Sequence, residues 1–305
     1  MTTTQIQALV QELMKRPLER ILSMGITGSG KSYQWLKLAK RLKPLGVKFR
    51  VVDTDNDIPF MLATNKDFVE LLPENGGNVY VCPAYDWPEY EKAVHWIQQK
   101  KLTPEQFNSM DKYLQLAYKT PVKPFDWVVT DKSNNAWKTV QDYFVGEVWG
   151  EDPGEYFLEI RKKLWAAGDI GKDGRKATST VKEGLDGWKD WSVINKLYND
   201  WINPIVYRVK CHVYATADVD SLDKNEKNPE ILSMYGDLRV KPQGQKAIGG
   251  QMHTLLLYIP GKDRWLVTTV KDRADRKYFD KTPLTDLYTQ YLFAKANWPL
   301  IESED

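Results

Sequence analysis

Short apolar runs alternate along the chain with stretches in which apolar residues recur every three or four positions. The run at 20–24 predicts a buried strand, and the helical spacing at 33–42 predicts the helix that follows it. The same two patterns recur, with strands expected at 47–53, 78–82, 125–131 and 211–217 and helices at 86–99, 103–118 and 191–205. Strands alternating with helices predict an α/β fold with a mostly parallel central sheet flanked by helices.

The ends of the chain show patterns of their own. An amphipathic stripe that stops at Pro17 predicts an N-terminal helix within residues 1–18, packed either on its own domain or on a neighbouring subunit. The rest divides into a core at 19–280, with an insertion at about 140–190, and a C-terminal helix and tail at 281–305.

Towards the end of the core, two apolar runs at 252–259 and 264–270 flank turn residues at 260–263. This pattern predicts a C-terminal antiparallel hairpin. Two polar stretches, at 168–180 and 218–250, are expected to be long loops, which inside a compact domain are usually functional or disordered.

Composition describes a chain that can build a sizeable core. Of its 305 residues, 42% are hydrophobic and 12% aromatic, which excludes a disordered chain. A formal net charge of +2 neither requires nor excludes a nucleic-acid partner. Cys82 and Cys211 lie in apolar runs and indicate buried thiols in a reducing compartment. Without a signal-peptide pattern or an apolar run near the ~20 residues of a membrane span, we expect a cytoplasmic protein with no membrane partner.

The first strand leads into Gly25-Ile26-Thr27-Gly28-Ser29-Gly30-Lys31-Ser32, the pattern of a phosphate-binding P-loop. Backbone N–H groups of such a loop wrap the phosphates of a nucleoside triphosphate, and the start of the next helix adds a positive field. We expect Lys31 to reach the β- and γ-phosphates and Ser32 to ligate Mg²⁺. We expect ATP and Mg²⁺ as cofactors, and the sequence leaves the base specificity open. The predicted nucleotide-binding residues are Gly25, Thr27, Gly28, Ser29, Gly30, Lys31 and Ser32.

Asp131 ends the apolar strand at 125–131 and fits the Walker B position, where a carboxylate helps to hold Mg²⁺. The predicted metal ligands are therefore Ser32 and Asp131. The next residue is Lys132, so families with a catalytic Glu directly after this Asp, such as AAA+ machines and terminase-type packaging motors, match poorly. The group that activates water must come from elsewhere in the chain.

Carboxylates follow the second predicted strand, at Asp53, Asp55 and Asp57. Here the chain resembles the RecA-like ATPases, in which the corresponding strand ends in an Asp-x-Glu type motif whose last carboxylate polarises the attacking water. The resemblance implies this role for Asp55, which is one methylene shorter than Glu, and leaves Asp53 and Asp57 as alternatives.

Three further residues match positions of the same family. Thr216, near the end of the strand at 211–217, matches a polar residue that senses the γ-phosphate and passes the signal to a DNA-binding loop. Lys271 and Arg273 match a basic pair that reaches the γ-phosphate bound by the neighbouring subunit. The catalytic residues that the resemblance implies are Asp55, Lys31, Thr216, Lys271 and Arg273.

The matching motifs occur in the family's order between Arg20 and Arg276. The chain resembles compact RecA-like ATPases of bacteriophages that act in recombination and replication. It implies a Mg²⁺-dependent ATPase that assembles as a homo-oligomer on single-stranded DNA, in the host cytoplasm if the protein is viral. A P-loop kinase for a small molecule or nucleotide, and an ATP-bound adaptor with little turnover, remain alternatives. Strand order separates the RecA-like interpretation from a kinase, because RecA-like proteins place the sensor strand between the P-loop and Walker B strands, whereas most P-loop kinases pair those two directly. Near-zero hydrolysis with strong ATP-dependent assembly would favour the adaptor.

Overall fold

A computed structural model of the chain describes residues 2–150, 154, 155, 158, 159, 162, 189–245, 248–262, 264–273 and 278–301. Within these residues, an eight-stranded sheet forms the centre, and the sixth and seventh strands in chain order form a separate two-stranded sheet. In chain order the strands are β1 (Arg20–Gly25), β2 (Phe49–Asp53), β3 (Val79–Pro83), β4 (Trp127–Asp131), β5 (His212–Ala217), β6 (Val219–Ser221), β7 (Val240–Pro242), β8 (Thr254–Pro260), β9 (Trp265–Asp272) and β10 (Thr282–Pro283).

The order across the large sheet is β10-β9-β8-β1-β5-β4-β2-β3. Neighbouring strands from β8 to β3 are parallel, while β9 and β10 add antiparallel pairs at one edge. β5 lies between the P-loop strand β1 and the Walker B strand β4, and in the described part of the chain β1 and β4 do not pair. The predicted architecture is confirmed: an α/β fold with a mostly parallel central sheet and a C-terminal antiparallel hairpin, in the strand order that the RecA-like resemblance predicts.

Helices cover both faces of this sheet. In chain order they are α1 (Thr3–Met14), α2 (Lys31–Leu42), α3 (Asp57–Thr64), α4 (Trp87–Ile97), α5 (Pro104–Asn108), α6 (Lys112–Lys119), α7 (Ser133–Trp149), α8 (Lys189–Asn203), α9 (Pro229–Tyr235) and α10 (Ile248–Gln251). Shorter helical turns are Lys43–Leu45, Val69–Leu71, Pro73–Asn75, Pro204–Arg208 and Tyr288–Phe293.

The side-chain alternation of β1 shows how the two faces divide the core. Ile21 joins an apolar cluster that includes Trp35 of α2, whereas Leu22 and Met24 join the cluster on the opposite face, with Trp201 of α8. All five side chains are at most 2% exposed. Burying a side chain of this size contributes about 1.5–3 kcal/mol, so both layers hold the strand that carries the P-loop.

The N-terminal helix is present and packs on its own domain. Leu13 is 1% exposed in the cluster of α2, and Ile6, Leu9 and Val10 pack partly buried against the same cluster. Packing of this helix on its own core is thus observed, and a contact with a neighbouring subunit stays a prediction.

Two helical predictions need correction. The helix expected at 103–118 is two helices, α5 and α6, because the Asp111 carboxylate accepts hydrogen bonds from the backbone N–H groups of Tyr113 and Leu114 and caps a new start. In the predicted C-terminal helix, the first residues pair instead with β9 as strand β10, and helical structure begins at the turn Tyr288–Phe293.

The stretch 218–250, expected to be a loop, carries β6, α9 and β7 and folds back on itself as a small antiparallel sheet. The other expected loop, at 168–180, and most of the insertion at about 140–190 lie outside the described residues. Among the described helices, none is both long and apolar enough to cross a membrane.

Candidate functional site

The P-loop joins β1 to α2, and its glycines are required by geometry. Gly28 and Gly30 have φ values of 79° and 83°, in the left-handed region that a side chain disfavours. A Cβ on Gly25 would lie 2.9 Å from the carbonyl oxygen of Tyr258 on β8, so close packing keeps this position small. A Cβ at Gly28 or Gly30 would have no atom of the described residues within 4 Å, which leaves that side of the loop open to a ligand.

Lys31 is folded back onto the loop that precedes it. Its ammonium donates hydrogen bonds to the carbonyl oxygens of Gly25 (2.7 Å) and Ile26 (2.9 Å) and forms an ion pair of 3.2 Å with Asp218. Only 6% of the Lys31 side chain is exposed. Burial lowers the pKa of Lys31, and the charge of Asp218 opposes that shift. The lysine predicted to bind phosphate is thus at the loop, with an internal carboxylate beside it.

Asp131 is the centre of a hydrogen-bond network at the carboxyl ends of the strands. Its Oδ1 accepts from Ser32 Oγ (3.1 Å) and Thr216 Oγ1 (2.6 Å), and its Oδ2 accepts from Trp35 Nε1 (2.8 Å). Burial raises the pKa of Asp131, while the hydrogen bonds from Thr216, Trp35 and Ser32 act in the opposite direction. The structure therefore brings together the two predicted metal ligands and the predicted sensor residue.

The carboxylates that follow β2 lie beside this network, because β2 pairs with β4 and Asp53 is in register with Asp131. Burial and the neighbouring Asp55 raise the pKa of Asp53 to about 7. Lys132 forms ion pairs with Asp55 and, at 3.5 Å, with Asp57. All three candidates for activating water are therefore at the same edge of the sheet as the P-loop.

Lys271 and Arg273 lie at the other edge. β9 is antiparallel to β8, and its last residue, Asp272, is paired with Thr254 at the beginning of β8, whereas the P-loop follows the carboxyl end of β1. The Lys271 ammonium donates to the carbonyl oxygens of Gly249, Gly250 and Met252, and Arg273 is exposed. Neither residue is part of the site formed by its own chain, so a role at the site of a neighbouring subunit stays a prediction.

Three residues of the site were not assigned from the sequence. Trp35 lies one turn after Lys31 on α2, Asp218 directly follows β5, and Thr54 directly follows β2. Thr54 Oγ1 donates to the carbonyl oxygens of Asp131 (2.8 Å) and Lys132 (2.9 Å). A polar residue just beyond a parallel strand was the available signal for Asp218 and Thr54, but Trp35 resembles an ordinary core residue of an amphipathic helix.

The residues present fit the predicted cofactors. A hydroxyl and a carboxylate oxygen 3.1 Å apart, on Ser32 and Asp131, are the hard oxygen donors that Mg²⁺ prefers. The N-terminus of the 12-residue helix α2, directly after the left-handed Gly30, suits the phosphates of a nucleotide.

No protein-family model matches the chain, and no curated protein sequence does. Among solved structures, the chain is similar to a KaiC-like protein from the hyperthermophilic archaeon Pyrococcus horikoshii. The two share 11% sequence identity with a TM-score of 0.43, and the match covers 88% of this chain and 86% of the archaeal one.

Proposed function

We propose that this chain is a Mg²⁺-dependent ATPase of RecA-like type that works as a homo-oligomer on single-stranded DNA, in recombination or replication of the bacteriophage kind. The observation that carries the proposal is the network in which Ser32, Asp131 and Thr216 meet at the ends of α2, β4 and β5. With β5 between the P-loop and Walker B strands, this arrangement supports a RecA-like ATPase over a kinase that pairs those strands directly.

Each residue at the carboxyl edge has a role in this proposal. The P-loop amides and Lys31 bind the triphosphate, and Ser32 and Asp131 hold Mg²⁺, which when bound neutralises charge on the phosphate oxygens. Asp55 accepts a hydrogen bond from the attacking water and directs it at the γ-phosphate. Thr216 contacts both Asp131 and the backbone N–H of Lys132, which suits a residue that senses whether the γ-phosphate is present.

Lys271 and Arg273 would complete the site of a neighbouring subunit. Because they lie at the edge of the sheet away from their own P-loop, a second copy of the chain is the partner that could receive them. A cation at that place stabilises the charge that spreads over the transferred phosphoryl group. The exposed guanidinium of Arg273 supports this role better than Lys271, whose ammonium is occupied by three carbonyl oxygens.

Single-stranded DNA would bind near the segment of β6, α9 and β7. This segment begins at Asp218, which contacts Lys31, and its far end is tied to α7 by a hydrogen bond of 3.1 Å from Asn134 to Gln243. Arg239 is exposed and Lys241 half-buried on the same segment, and both can contact phosphates of a nucleic acid. The segment is thus placed to respond to the nucleotide.

The test is ATP hydrolysis measured with and without single-stranded DNA over a range of protein concentrations, with Lys31→Ala as the control. We expect the rate per protein molecule to rise with concentration and with DNA, and Lys31→Ala to be inactive. Hydrolysis by Lys31→Ala at the wild-type rate would contradict the P-loop assignment. No response to DNA would remove the DNA partner, and strong ATP-dependent assembly with near-zero turnover would favour the adaptor.

Mixing experiments test the contribution of the neighbouring subunit. Arg273→Ala alone should be poorly active, and mixing it with Lys31→Ala should restore part of the rate, because mixed interfaces contain one intact site. Arg264→Ala, an exposed arginine just before the opposite end of β9, is the matched control and should behave as wild type. If no activity returns on mixing, Arg273 does not act across an interface.

A further inference from the structure

Lys132 has a backbone conformation that is unusual for its residue type. Its φ and ψ are 54° and 55°, in the left-handed region, where a residue other than glycine costs roughly 1–2 kcal/mol. Such residues persist where the surrounding structure holds them, and they cluster at functional sites.

The ends of two neighbouring strands hold this conformation. The backbone N–H of Lys132 donates to Thr216 Oγ1 (2.7 Å), and its carbonyl oxygen accepts from Thr54 Oγ1 (2.9 Å). Thr216 belongs to β5 and Thr54 follows β2, so Lys132, directly after β4, is fixed between the two neighbours of β4. The direction of its side chain is set by these bonds.

The side chain extends to the carboxylates that follow β2. The ammonium forms its ion pair with Asp55 Oδ2 and lies 3.5 Å from Asp57. The side chains of Lys132 and Asp55 are 21% and 14% exposed, whereas Asp57 is 64% exposed, so the pair with Asp55 is the better shielded of the two. Neither of the buried oxygens of the Asp55 carboxylate has a hydrogen-bond partner among the described residues, so Oδ1 is available to accept one while Oδ2 pairs with the ammonium.

We infer that Lys132 is a positioning residue for the hydrolysis proposed above: its ammonium holds one oxygen of Asp55 so that the other accepts the attacking water. The inference rests on the proposed function, in which Asp55 directs that water. An aspartate has a shorter reach than the glutamate usual in RecA-like proteins, so its placement matters more. A misplacement of about 1 Å can cost about 100-fold in rate. The chain thus has a cation at the position where other P-loop families have a catalytic carboxylate.

Substitution of Lys132 tests the inference. We expect Lys132→Met to lower kcat by about 30- to 100-fold, with KM for ATP and the directly measured affinity for a non-hydrolysable ATP analogue each changed less than about threefold. Lys132→Arg, which keeps the cation, should recover most of kcat. Lys138→Met, at an exposed lysine of the same helix α7, is the matched control and should hydrolyse ATP as wild type does. If Lys132→Met does not bind the analogue, Lys132→Gln replaces it with the same expectation.

A double substitution separates positioning from a general effect on the site. Since Lys132 acts through Asp55, adding Lys132→Met to Asp55→Asn should lower kcat no further than Asp55→Asn alone. The inference would be overturned if Lys132→Met had the wild-type kcat. It would also be overturned if Lys132→Met lowered kcat by the same factor in the Asp55→Asn variant as in the wild type. A wild-type chain that does not hydrolyse ATP would instead contradict the proposed function itself.

Discussion

The two ends of the central sheet both carry buried charges but pair them in opposite ways. At the amino end, the Arg50 guanidinium forms an ion pair of 3.0 Å with Asp126, and both side chains are at most 1% exposed. The guanidinium of Arg20 donates to main-chain oxygens, those of Glu19, Val206, Val209 and Cys211. At the carboxyl end, Asp53 and Asp131 are in register on adjacent strands, with Asp55 close to both.

This difference separates charges that stabilise the fold from charges that serve a site. A cation surrounded by oxygens is compensated where it is buried, so removing its partner costs stability. At the carboxyl end, Lys132 compensates Asp55 and Asp57. In contrast, the buried Asp53 and Asp131 form no ion pair among the described residues. Such carboxylates repel each other in a low-dielectric environment, and the protein tolerates that cost where chemistry needs it. We therefore expect substitutions at the carboxyl end to change activity and those at the amino end to change stability.

The largest expected effect on activity comes from Asp131. Asp131→Asn keeps the size of the side chain but removes the charge that would hold Mg²⁺, so kcat for ATP hydrolysis should fall by about 100- to 1,000-fold. Steady-state ATPase assays over a range of Mg²⁺ concentrations check this, with circular dichroism to show that the variant is folded. An Asp131→Asn variant with more than a tenth of wild-type kcat would contradict the metal assignment.

At the amino end, Asp126→Asn should lower the free energy of unfolding by about 3–5 kcal/mol, because it leaves the buried Arg50 charge without its counterion. Activity per folded molecule should stay within about twofold of wild type, since the pair lies at the amino ends of β2 and β4 and the site lies at their carboxyl ends. Urea unfolding followed by tryptophan fluorescence measures the loss.

The control for this substitution is an exposed ion pair. Lys196 and Asp200 are 72% and 62% exposed on α8, so Lys196→Met should change the free energy of unfolding by less than about 1 kcal/mol. Equal losses in the two variants would show that burial does not distinguish the pairs.

Much of this arrangement could be predicted from the sequence, for a physical reason. A P-loop depends on local geometry, and apolar runs report burial directly, so the loop, its strand and the strand of Asp131 were all predicted. The ion pairs of Lys132 with Asp55 and of Lys31 with Asp218 join residues far apart in the chain. These ion pairs depend on which strands are neighbours in the sheet, and no local sequence pattern specifies that order.

Asp53 at the carboxyl end should make the stability of the protein depend on pH. Because burial and Asp55 raise the pKa of Asp53 from 3.8 to about 7, the folded state holds this proton more tightly than the unfolded state does. Stability from this group is fully present below pH 3.8 and is lost as the pH rises to about 7. Asp53→Asn removes the loss and should unfold like wild type near pH 4 but be about 2–4 kcal/mol more stable at pH 8.

Urea unfolding of both proteins between pH 4 and pH 8 measures this difference. Asp67→Asn, at an exposed carboxylate beyond α3, is the control and should follow wild type throughout. If Asp53→Asn is less stable than wild type at pH 8, the carboxylate stabilises the fold, and the contrast between the two ends of the sheet is wrong there.

The smallest expected effect concerns the ion pair between Asp218 and Lys31 of the P-loop. Asp218 lies 3.2 Å from the Lys31 ammonium, and a bound triphosphate would both compete for that cation and be repelled by the carboxylate. Asp218→Asn should therefore tighten ATP binding by about 3- to 10-fold, which corresponds to about 1 kcal/mol.

Asp220→Asn makes the same charge change two residues along, on β6, where the side chain does not contact Lys31 in the described contacts, and it should shift the dissociation constant by less than about twofold. Calorimetric titration of both variants in the same buffer checks the difference. If the two variants bind ATP with equal affinity, breaking the ion pair between Lys31 and Asp218 does not weaken ATP binding. Tighter binding by Asp218→Asn alone would mean that Asp218 competes with the phosphates of ATP for the Lys31 ammonium.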